Sequence, residues 1–361
     1  MPKIRVLVVD DSALVRQMLT EMLQTDPDIE VVGTASDPYV AREKIKRLNP
    51  DVLTLDIAMP RMDGLTFLRN LMRLHPMPVV MVSALTADGA EMAFRALELG
   101  AVDFVSKPQL DLAQGLQDST EEIIAKVKAA STVRVHILEQ HVTPARGVPP
   151  RYTADAILRP QYGRHGPSRG ETTERIVALG ASTGGTEAIK EILLHLPAGA
   201  PGMVIAQHIP EAFSGPFARR MDSLVAMTVC EAQDGQPILP GHVYIAPGNR
   251  HLLVGRDNTR YVCQLHDGPP VNRHRPSVDV LFRSVAQHLG SQAIGVLLTG
   301  MGDDGARGLK EMHEAGAYTL AQDEKTSVVW GMPGQAVKLG AVDAIIPLTG
   351  MAERILALSV G

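Results

Sequence analysis

The 361-residue sequence has few cysteines, few aromatic residues and no long hydrophobic run. Its two cysteines, Cys230 and Cys263, are too few for a disulfide framework and lack metal-binding spacing, which favours a reducing compartment. No apolar stretch reaches the roughly 18 residues of a transmembrane helix, and the start MPKIRVLVVDDS does not resemble a signal peptide. We therefore expect a cytoplasmic protein without direct membrane insertion.

The composition gives equally little support to nucleic-acid or carbohydrate binding. The formal net charge is -5 and aromatic residues make up 4% of the chain, so bulk positive charge and abundant stacking rings are both lacking. The sequence contains no helix-turn-helix pattern and no concentrated basic helix, which argues against a DNA-binding regulator. The length suits two domains of ordinary size. We expect a monomer that binds no nucleic acid.

Short apolar runs alternate with helical patterns through the first 125 residues. The predicted strands are Ile4–Val9, Glu30–Ala35, Val52–Leu55, Val79–Ser83 and Val102–Val105. The predicted helices lie near Ala13–Leu23, Tyr39–Leu48, Gly64–Leu74, Ala90–Leu99 and Thr120–Ala129. Five strand–helix units predict an α/β domain, a parallel sheet with helices on both faces. In such sheets the functional site lies beyond the carboxyl ends of the strands.

Charged and hydroxyl side chains stand at these predicted strand ends. Asp10, Asp11 and Asp56 would repel one another there, and a hard cation such as Mg²⁺ would relieve that repulsion. Asp56 could then attack a phosphoryl group, while Ser83 and Lys107 bind its oxygens. A single aspartate at such a place is often a helix cap. The recurrence at successive strand ends favours a phosphoryl site.

Four motifs in this region, VVDDS, LTLDIAMPRMDG, VSA and FVSKP, resemble the receiver domain of two-component response regulators. The resemblance implies a flavodoxin-like domain over residues 1–125 and phosphorylation of Asp56 by a sensor histidine kinase. It assigns Mg²⁺ to Asp10, Asp11, Asp56 and the backbone carbonyl of Ala58. It also implies that the hydroxyl of Ser83 and the ring of Phe104 move together on phosphorylation, although Phe104 lacks the hydroxyl of the tyrosine often found there.

Residues 126–172 interrupt the periodic pattern and are predicted to be a linker. Much of this stretch is rich in proline, glycine and arginine, and it cannot bury enough apolar surface to order itself. Its arginines are Arg146, Arg151, Arg159, Arg164 and Arg169. They favour a solvated tether, with a docking strip for an acidic partner as the alternative.

The stretch RIVALGASTGGT, residues 175–186, places a serine between a buried strand and a helix. Ser182 would stand exposed on this glycine-flanked turn, where a hydroxyl can act as a nucleophile. The same pattern fits three other interpretations: a tight turn, a phosphate site at the helix N-terminus, and helix capping by Ser182 or Thr183.

Two further apolar runs also end in residues that can take part in catalysis. Met203–Ala206 leads to His208, and Ala293–Leu298 leads to Asp303 and Asp304. If the three strands are parallel neighbours, serine, histidine and aspartate meet at one sheet edge, as acyl transfer requires. The order Ser, His, Asp differs from that of the α/β-hydrolases. A surface histidine and a helix-capping aspartate remain alternatives, and spacing does not choose between Asp303 and Asp304.

The region between His208 and Asp304 predicts an antiparallel extension of short strands beside the parallel sheet. The predicted strands are Val229–Glu231, Val243–Ile245, His251–Val254 and Tyr261–Leu265. A long polar and basic loop, residues 266–279, then precedes a helix. Such loops often line sites, but this basic cluster is more often solvated.

The motifs LGASTGGT, AQHIP and LLTGMGDDGA look like the catalytic domain of the chemotaxis protein-glutamate methylesterases. The resemblance implies a doubly wound, mainly parallel α/β domain over residues 173–361 that needs no cofactor. It implies that Ser182 is the nucleophile, His208 the general base and Asp304 the third triad member. Thr183 and the backbone of Met301 lie where the family surrounds the serine and binds the oxyanion.

The two resemblances together imply a phosphorylation-activated hydrolase. Its substrate would be the cytoplasmic helical bundle of a chemoreceptor, with glutamate methyl esters hydrolysed and selected glutamines deamidated. The family places the unphosphorylated receiver over the esterase cleft, so we expect phosphorylation of Asp56 to relieve occlusion. A receptor-docking module that has lost catalysis is the alternative from another functional class.

Overall fold

The computed structural model describes residues 3–60, 62–84, 86–108, 113–133, 152–160, 175–257 and 260–359. The chain divides into two compact units, residues 1–145 and 146–361. Each unit has its own sheet and its own hydrophobic core.

The first unit is built on a parallel sheet of five strands. The strands are β1 (Ile4–Val9), β2 (Ile29–Ala35), β3 (Val52–Asp56), β4 (Val79–Ser83) and β5 (Asp103–Ser106). The helices are α1 (Ala13–Gln24), α2 (Pro38–Leu48), α3 (Gly64–Leu74), α4 (Ala87–Glu98) and α5 (Ala113–Thr132). The strand order β2-β1-β3-β4-β5 is that of the flavodoxin-like fold, so the predicted fold class is confirmed.

The second unit contains a parallel sheet of seven strands and a separate two-stranded sheet. Its strands are β6 (Ile176–Ala181), β7 (Met203–Gln207), β8 (Thr228–Glu231), β9 (His242–Ile245), β10 (His251–Asp257), β11 (Arg260–His266), β12 (Ala293–Leu297), β13 (Tyr318–Gln322) and β14 (Ala344–Ile346). Its helices are α6 (Gly185–Leu194), α7 (Glu211–Leu224), α8 (Val278–His288), α9 (Ala306–Glu314), α10 (Met332–Lys338) and α11 (Leu348–Ser359). The order of the large sheet is β14-β13-β12-β6-β7-β9-β8.

The antiparallel extension is smaller than the sequence predicts. Only β10 and β11 form an antiparallel hairpin, which lies outside the large sheet. Strands β8 and β9 instead join the large sheet as parallel members beside β7. Four-residue strands carry too little pattern to fix their direction, and here the neighbouring strand β7 sets it.

Two parts of the segment predicted as a linker are folded. Helix α5 runs on to Thr132 because Val127 and Ala130 are buried in the core of the first unit. Residues 152–160 belong to the second unit and include a 3-10 turn, Ala154–Ala156. Arg159 belongs to this segment, whereas Arg146, Arg151, Arg164 and Arg169 lie outside the described residues.

Candidate functional site

Three adjacent strands bring the predicted catalytic residues to one sheet edge. Strand β6 lies between β12 and β7 and is parallel to both. Ser182 directly follows β6, His208 directly follows β7, and Asp304 lies on the turn between β12 and α9. Backbone hydrogen bonds continue the pairing past the strand ends, from His208 N to Ala181 O (3.1 Å) and from Ser182 N to Thr299 O (3.0 Å). The sheet order therefore meets the condition on which the sequence interpretation depends.

The turn that carries Ser182 is shaped by glycine and does not cap the helix. The N-cap of α6 is Gly184, which has a φ of 76°, and no side chain caps the helix. Gly300 passes so close that a Cβ there would lie 2.7 Å from Ser182 Cβ. The geometry excludes Ser182 and Thr183 as helix caps and leaves the Ser182 hydroxyl half-buried beside the end of β12.

His208 and Asp304 form a buried pair. The His208 Nε2 atom lies 2.8 Å from Asp304 Oδ2, and the two side chains are 7% and 1% exposed. The His208 Nδ1 atom is buried and has no hydrogen-bond partner among the described residues. This arrangement fixes the Nε2–H tautomer and leaves the lone pair of Nδ1 available. His208 is therefore not a surface histidine, and Asp304 rather than Asp303 is its partner.

Asp304 accepts hydrogen bonds from four groups besides His208. The donors are Asn272 Nδ2 (2.8 Å), Ser277 Oγ (2.8 Å), Val278 N (2.7 Å) and Asp279 N (3.2 Å). Burial alone would raise the pKa of Asp304, but its contacts with His208 and Asn272 hold the pKa well below the ordinary value. The carboxylate therefore stays ionised. The N-cap of α9 is Gly305, so Asp304 does not cap that helix.

A second histidine covers the first. The rings of His208 and His274 stack with centroids 3.7 Å apart and an angle of 9° between their planes. His274 belongs to a tight turn closed by two backbone hydrogen bonds with Val271. Sequence reasoning left this loop out of the site. The one available signal was its position, a long polar loop that precedes a helix.

Gln207 was also missed, although it precedes His208 in the AQHIP motif. Its Nε2 donates to the carbonyl of Ser182 (3.0 Å) and to the carbonyl of His208 (3.1 Å). Its side-chain oxygen is buried and has no partner among the described residues. Because C=O and N–H point in opposite directions in a trans peptide, the bond to Ser182 O also orients the N–H of Thr183.

Thr183 directly follows the serine, and Met301 lies one residue beyond a glycine that packs against it. Thr183 is 3% exposed, and its carbonyl accepts a hydrogen bond from Thr299 Oγ1 (3.0 Å). Met301 directly follows Gly300, which lies against Ser182. Neither the Thr183 N–H nor the Met301 N–H donates to an acceptor in the described part of the chain. Their role in binding an oxyanion stays a prediction, and no acceptor among the described residues competes for either N–H group.

The first unit brings its predicted phosphoryl site together at the ends of β1, β3 and β5. Lys107 Nζ lies 3.0 Å from Asp10 Oδ2 and 2.8 Å from Asp56 Oδ2. Asp10 and Asp56 are buried, whereas Asp11 is exposed. Ligand oxygens of these three aspartates lie within 4.8 Å of one another. Oxygen donors so close together fit a hard cation, and the buried oxygens that face Lys107 have no further partner among the described residues.

The pKa values of Asp56 and Lys107 both lie above their ordinary values. Burial raises the pKa of Asp56, and the opposing effect of Lys107 is smaller. Burial alone would lower the pKa of Lys107, but Asp56 and Asp10 raise it above its ordinary value. Ala58 donates its backbone N–H to Asp56 Oδ1 (3.3 Å), which places Ala58 beside the predicted phosphoacceptor.

Ser83 and Phe104 lie beside this site without contacting Asp56. The Ser83 hydroxyl donates to the carbonyl of Gly89 (2.9 Å) in the first turn of α4. The Phe104 ring is buried and packs edge-on against Phe94, with centroids 5.5 Å apart. The structure therefore places both residues next to α4.

Among the described residues, no helix is both long and apolar enough to cross a membrane.

Comparisons with known proteins match both units of the chain. The profile of the response regulator receiver domain matches residues 6–117, and that of the CheB methylesterase matches residues 177–355. The protein-glutamate methylesterase/protein-glutamine glutaminase of Hydrogenovibrio crunogenus is 59% identical over 377 aligned residues, which cover 99% of each chain. The protein of the same name from Nitrosomonas europaea is 56% identical and covers 100% of this chain and 98% of its own.

A solved structure matches the second unit. The CheB methylesterase catalytic domain of Thermotoga maritima is 37% identical, with a TM-score of 0.51, and the match covers 52% of this chain and 100% of that domain. The chain therefore belongs to the family of protein-glutamate methylesterases/protein-glutamine glutaminases, and it joins a response-regulator receiver domain to a CheB methylesterase domain.

Proposed function

We propose that this chain removes methyl esters from glutamate residues of chemoreceptors through Ser182, His208 and Asp304. The observation that carries the proposal is the buried 2.8 Å contact between His208 and Asp304, at the sheet edge where Ser182 stands. A histidine held by a carboxylate beside a serine is the arrangement that acyl transfer uses. The names of the relatives support the same substrate chemistry.

The proposed reaction begins when the Ser182 oxygen attacks the γ-carbonyl of a methylated glutamate. His208 Nδ1 takes the serine proton, and Asp304 stabilises the imidazolium through Nε2–H. The N–H groups of Thr183 and Met301 bind the oxyanion. His208 then returns the proton to the leaving oxygen, which releases methanol and leaves an acyl group on Ser182.

Water completes the cycle. His208 accepts a proton from a water molecule, which attacks the acyl carbon. His208 then returns the proton to the Ser182 oxygen as its bond to the acyl carbon breaks, and a free glutamate is released. Deamidation follows the same path, since a glutamine γ-amide differs only in its leaving group, ammonia. Hydrolysis of either substrate consumes water alone, and the esterase needs no metal or cofactor for these steps.

Phosphorylation of Asp56 by a sensor histidine kinase is proposed to raise this activity. Asp10, Asp11 and Asp56 would hold Mg²⁺ together with the Ala58 carbonyl, and the ion would offset the charge of the incoming phosphoryl group. Lys107 would bind a phosphoryl oxygen, and Ser83 would turn from Gly89 to donate to another. The two units thus form a regulated enzyme acting in the cytoplasm, where the receptor bundle lies.

The test is methanol release from membranes that carry methylated chemoreceptors, with and without a small phosphodonor. We expect release by the wild-type chain, a rise with phosphodonor, and no rise for Asp56→Asn. Mass spectrometry of the receptor peptides follows deamidation in the same samples. A chain that binds the receptors but leaves both esters and amides intact would be a docking module, and the proposed activity would be wrong.

A further inference from the structure

The segment Tyr152–Pro160 lies before the catalytic sheet in sequence but is built into the catalytic unit. Ala154 is 4% exposed and packs into a small apolar cluster with Leu253, Val271 and Val280. Ile157 lies where a Cβ on Gly268 would approach it to 2.3 Å, so the 266–279 loop runs directly against the segment. The burial of Ala154 and the close approach of Ile157 to Gly268 indicate that the segment docks at a specific site.

Polar contacts fix the same segment to α8. Arg283 donates to Asp155 Oδ1 (2.5 Å) and to the carbonyl of Leu158 (2.9 Å), and its side chain is 8% exposed. Gln287 Nε2 donates to the carbonyl of Arg159 (2.8 Å). Arg283 also forms an ion pair with Glu311, so the segment is tied through α8 to α9, the helix that follows Asp304.

One contact leads from the segment to the triad acid. The carbonyl of Tyr152 accepts the backbone N–H of Asn272 (2.9 Å). Asn272 has a φ of 50°, and its side-chain amide donates to Asp304 Oδ1 (2.8 Å) and to Asp279 Oδ2 (2.7 Å). Both hydrogens of that amide therefore point at buried carboxylates, and a shift of the Asn272 backbone would move them.

The same turn also carries the histidine that covers the general base. Val271 and His274 close the turn with backbone hydrogen bonds of 3.0 and 2.8 Å. Val271 packs against Ala154, while His274 stacks on His208. The docked segment therefore supports one turn that touches both members of the His208–Asp304 pair.

We propose that Tyr152–Pro160 is a positioning element of the active site, which acts through Asn272 to hold Asp304 and through the turn to hold His274 against His208. This inference rests on the proposed function, because it assigns the effect to the esterase reaction. Undocking the segment lets the Asn272 amide leave Asp304, so His208 loses its fixed orientation. The catalytic rate then falls while substrate affinity is kept.

The 3-10 turn offers a matched pair of variants in the full-length chain. Ala154 is buried, whereas Ala156, two residues later in the same turn, is exposed. Ala154→Asp places a charge in the apolar cluster and is expected to lower kcat for methanol release about tenfold with little change in KM. Ala156→Asp adds the same charge and is expected to stay within about twofold of wild type.

A second variant tests whether the effect passes through Asn272. Asn272→Gly removes the amide but tolerates the positive φ, and it is expected to lower kcat at least about tenfold. If Ala154→Asp acts through Asn272, the double variant is no slower than Asn272→Gly alone. Fully additive losses would show that the segment does not act on Asp304 through the Asn272 amide and would overturn that route of the proposal.

A spectroscopic readout separates this inference from the proposed function. The proton shared by His208 Nε2 and Asp304 gives a downfield NMR signal, which we expect to shift or vanish in Ala154→Asp and to persist in Ala156→Asp. If the wild type releases no methanol, the proposed function fails, but this signal still tests the positioning. If Ala154→Asp keeps both the wild-type signal and the wild-type kcat, the segment has no positioning role.

Discussion

Adjacent aspartates at residues 303 and 304 have different surroundings. Asp304 is 1% exposed and contacts His208, whereas Asp303 is half-buried on the preceding turn. A carboxylate that fixes the histidine tautomer also stabilises the imidazolium of the transition state. The neutral amide of an asparagine cannot do so. The two residues therefore provide an internal comparison between the proposed triad carboxylate and a neighbouring charge.

Asp304→Asn is expected to lower kcat about 10³- to 10⁴-fold because the amide cannot stabilise the imidazolium. KM changes little, since Asp304 is 1% exposed and its carboxylate already contacts His208. Asp303→Asn serves as the control and is expected to remain near the wild-type rate. Steady-state methanol release measures both. Equal losses in the two variants would contradict the assignment of Asp304.

Gln207→Met tests how the serine turn is held. Methionine has a similar volume but cannot donate to the carbonyls of Ser182 and His208, so the Thr183 N–H loses its fixed direction. We expect kcat to fall about 10- to 100-fold. This loss is at or somewhat below the loss that follows removal of one donor from an oxyanion site. Thermal unfolding provides the control for lost stability, expected to be about 1–3 kcal/mol. An unchanged kcat would leave Gln207 with a purely structural role.

At the scale of elements, the first turn of α8 holds a second buried carboxylate. Burial and the charge of Asp304 raise the pKa of Asp279 to about 7, against the smaller effects of Gly308 N and Asn272. Asp279 therefore stays protonated in the folded state over a pH range in which it is ionised in the unfolded chain. Its contribution to stability is present below the ordinary pKa of 3.8 and is lost as the pH rises to about 7.

Asp279→Asn is expected to remove this pH dependence. Asp304 does not mask the effect, because the stability contributed by its lowered pKa is fully present above its ordinary range and is lost only as the pH falls below that range. Between about pH 4 and pH 7 the wild type should lose at least about 1 kcal/mol relative to the variant, or roughly 2–4 °C in Tm for a unit of this size. Calorimetry of both chains across this range measures the difference. A constant difference in Tm would show that Asp279 does not titrate there.

The elements that carry the chemistry were predictable, and those that support it were not. Buried runs such as β6, β7 and β12 are apolar, apart from the terminal Gln207 of β7, and lead to Ser182, His208 and the turn with Asp304. Such runs indicate parallel strands, and a shared sheet edge follows from their direction. Strands β13 and β14 went unpredicted. Strand β14 has only three residues, and none of them is fully buried.

Long-range partners explain the remaining gaps. Nothing local indicates that the backbone of Asn272 binds Tyr152, more than a hundred positions earlier, or that its amide joins Asp279 to Asp304. The segment around Ala154 lies within a longer stretch rich in proline, glycine and arginine, and it looks like part of a tether until its docking surface on α8 is known. A sequence pattern predicts the periodicity of a single element. These contacts depend instead on how several elements pack together in the folded chain.

At the scale of the whole molecule, the second compact unit begins at residue 146, whereas the sequence predicts a catalytic domain that begins at residue 173. A fragment that starts at residue 175 keeps the large sheet and the triad but lacks the docked segment, whereas a fragment of residues 146–361 keeps both. We expect the longer fragment to have a kcat about tenfold higher, because Asn272 retains its backbone partner. Parallel assays of the two fragments on methylated receptors measure the ratio. Equal rates would place the start of the functional unit at the first strand of the catalytic sheet.

The molecule as a whole joins a receiver domain, with Asp56 as the proposed phosphoacceptor, to an esterase domain, with Ser182 as the proposed nucleophile. The most direct test compares methanol release from methylated chemoreceptor membranes by the wild-type chain and by Ser182→Ala, each with a small phosphodonor. We expect the wild type to release methanol and Ser182→Ala to fall by at least about 10³-fold while remaining folded. Methanol release by Ser182→Ala at the wild-type rate would contradict the account.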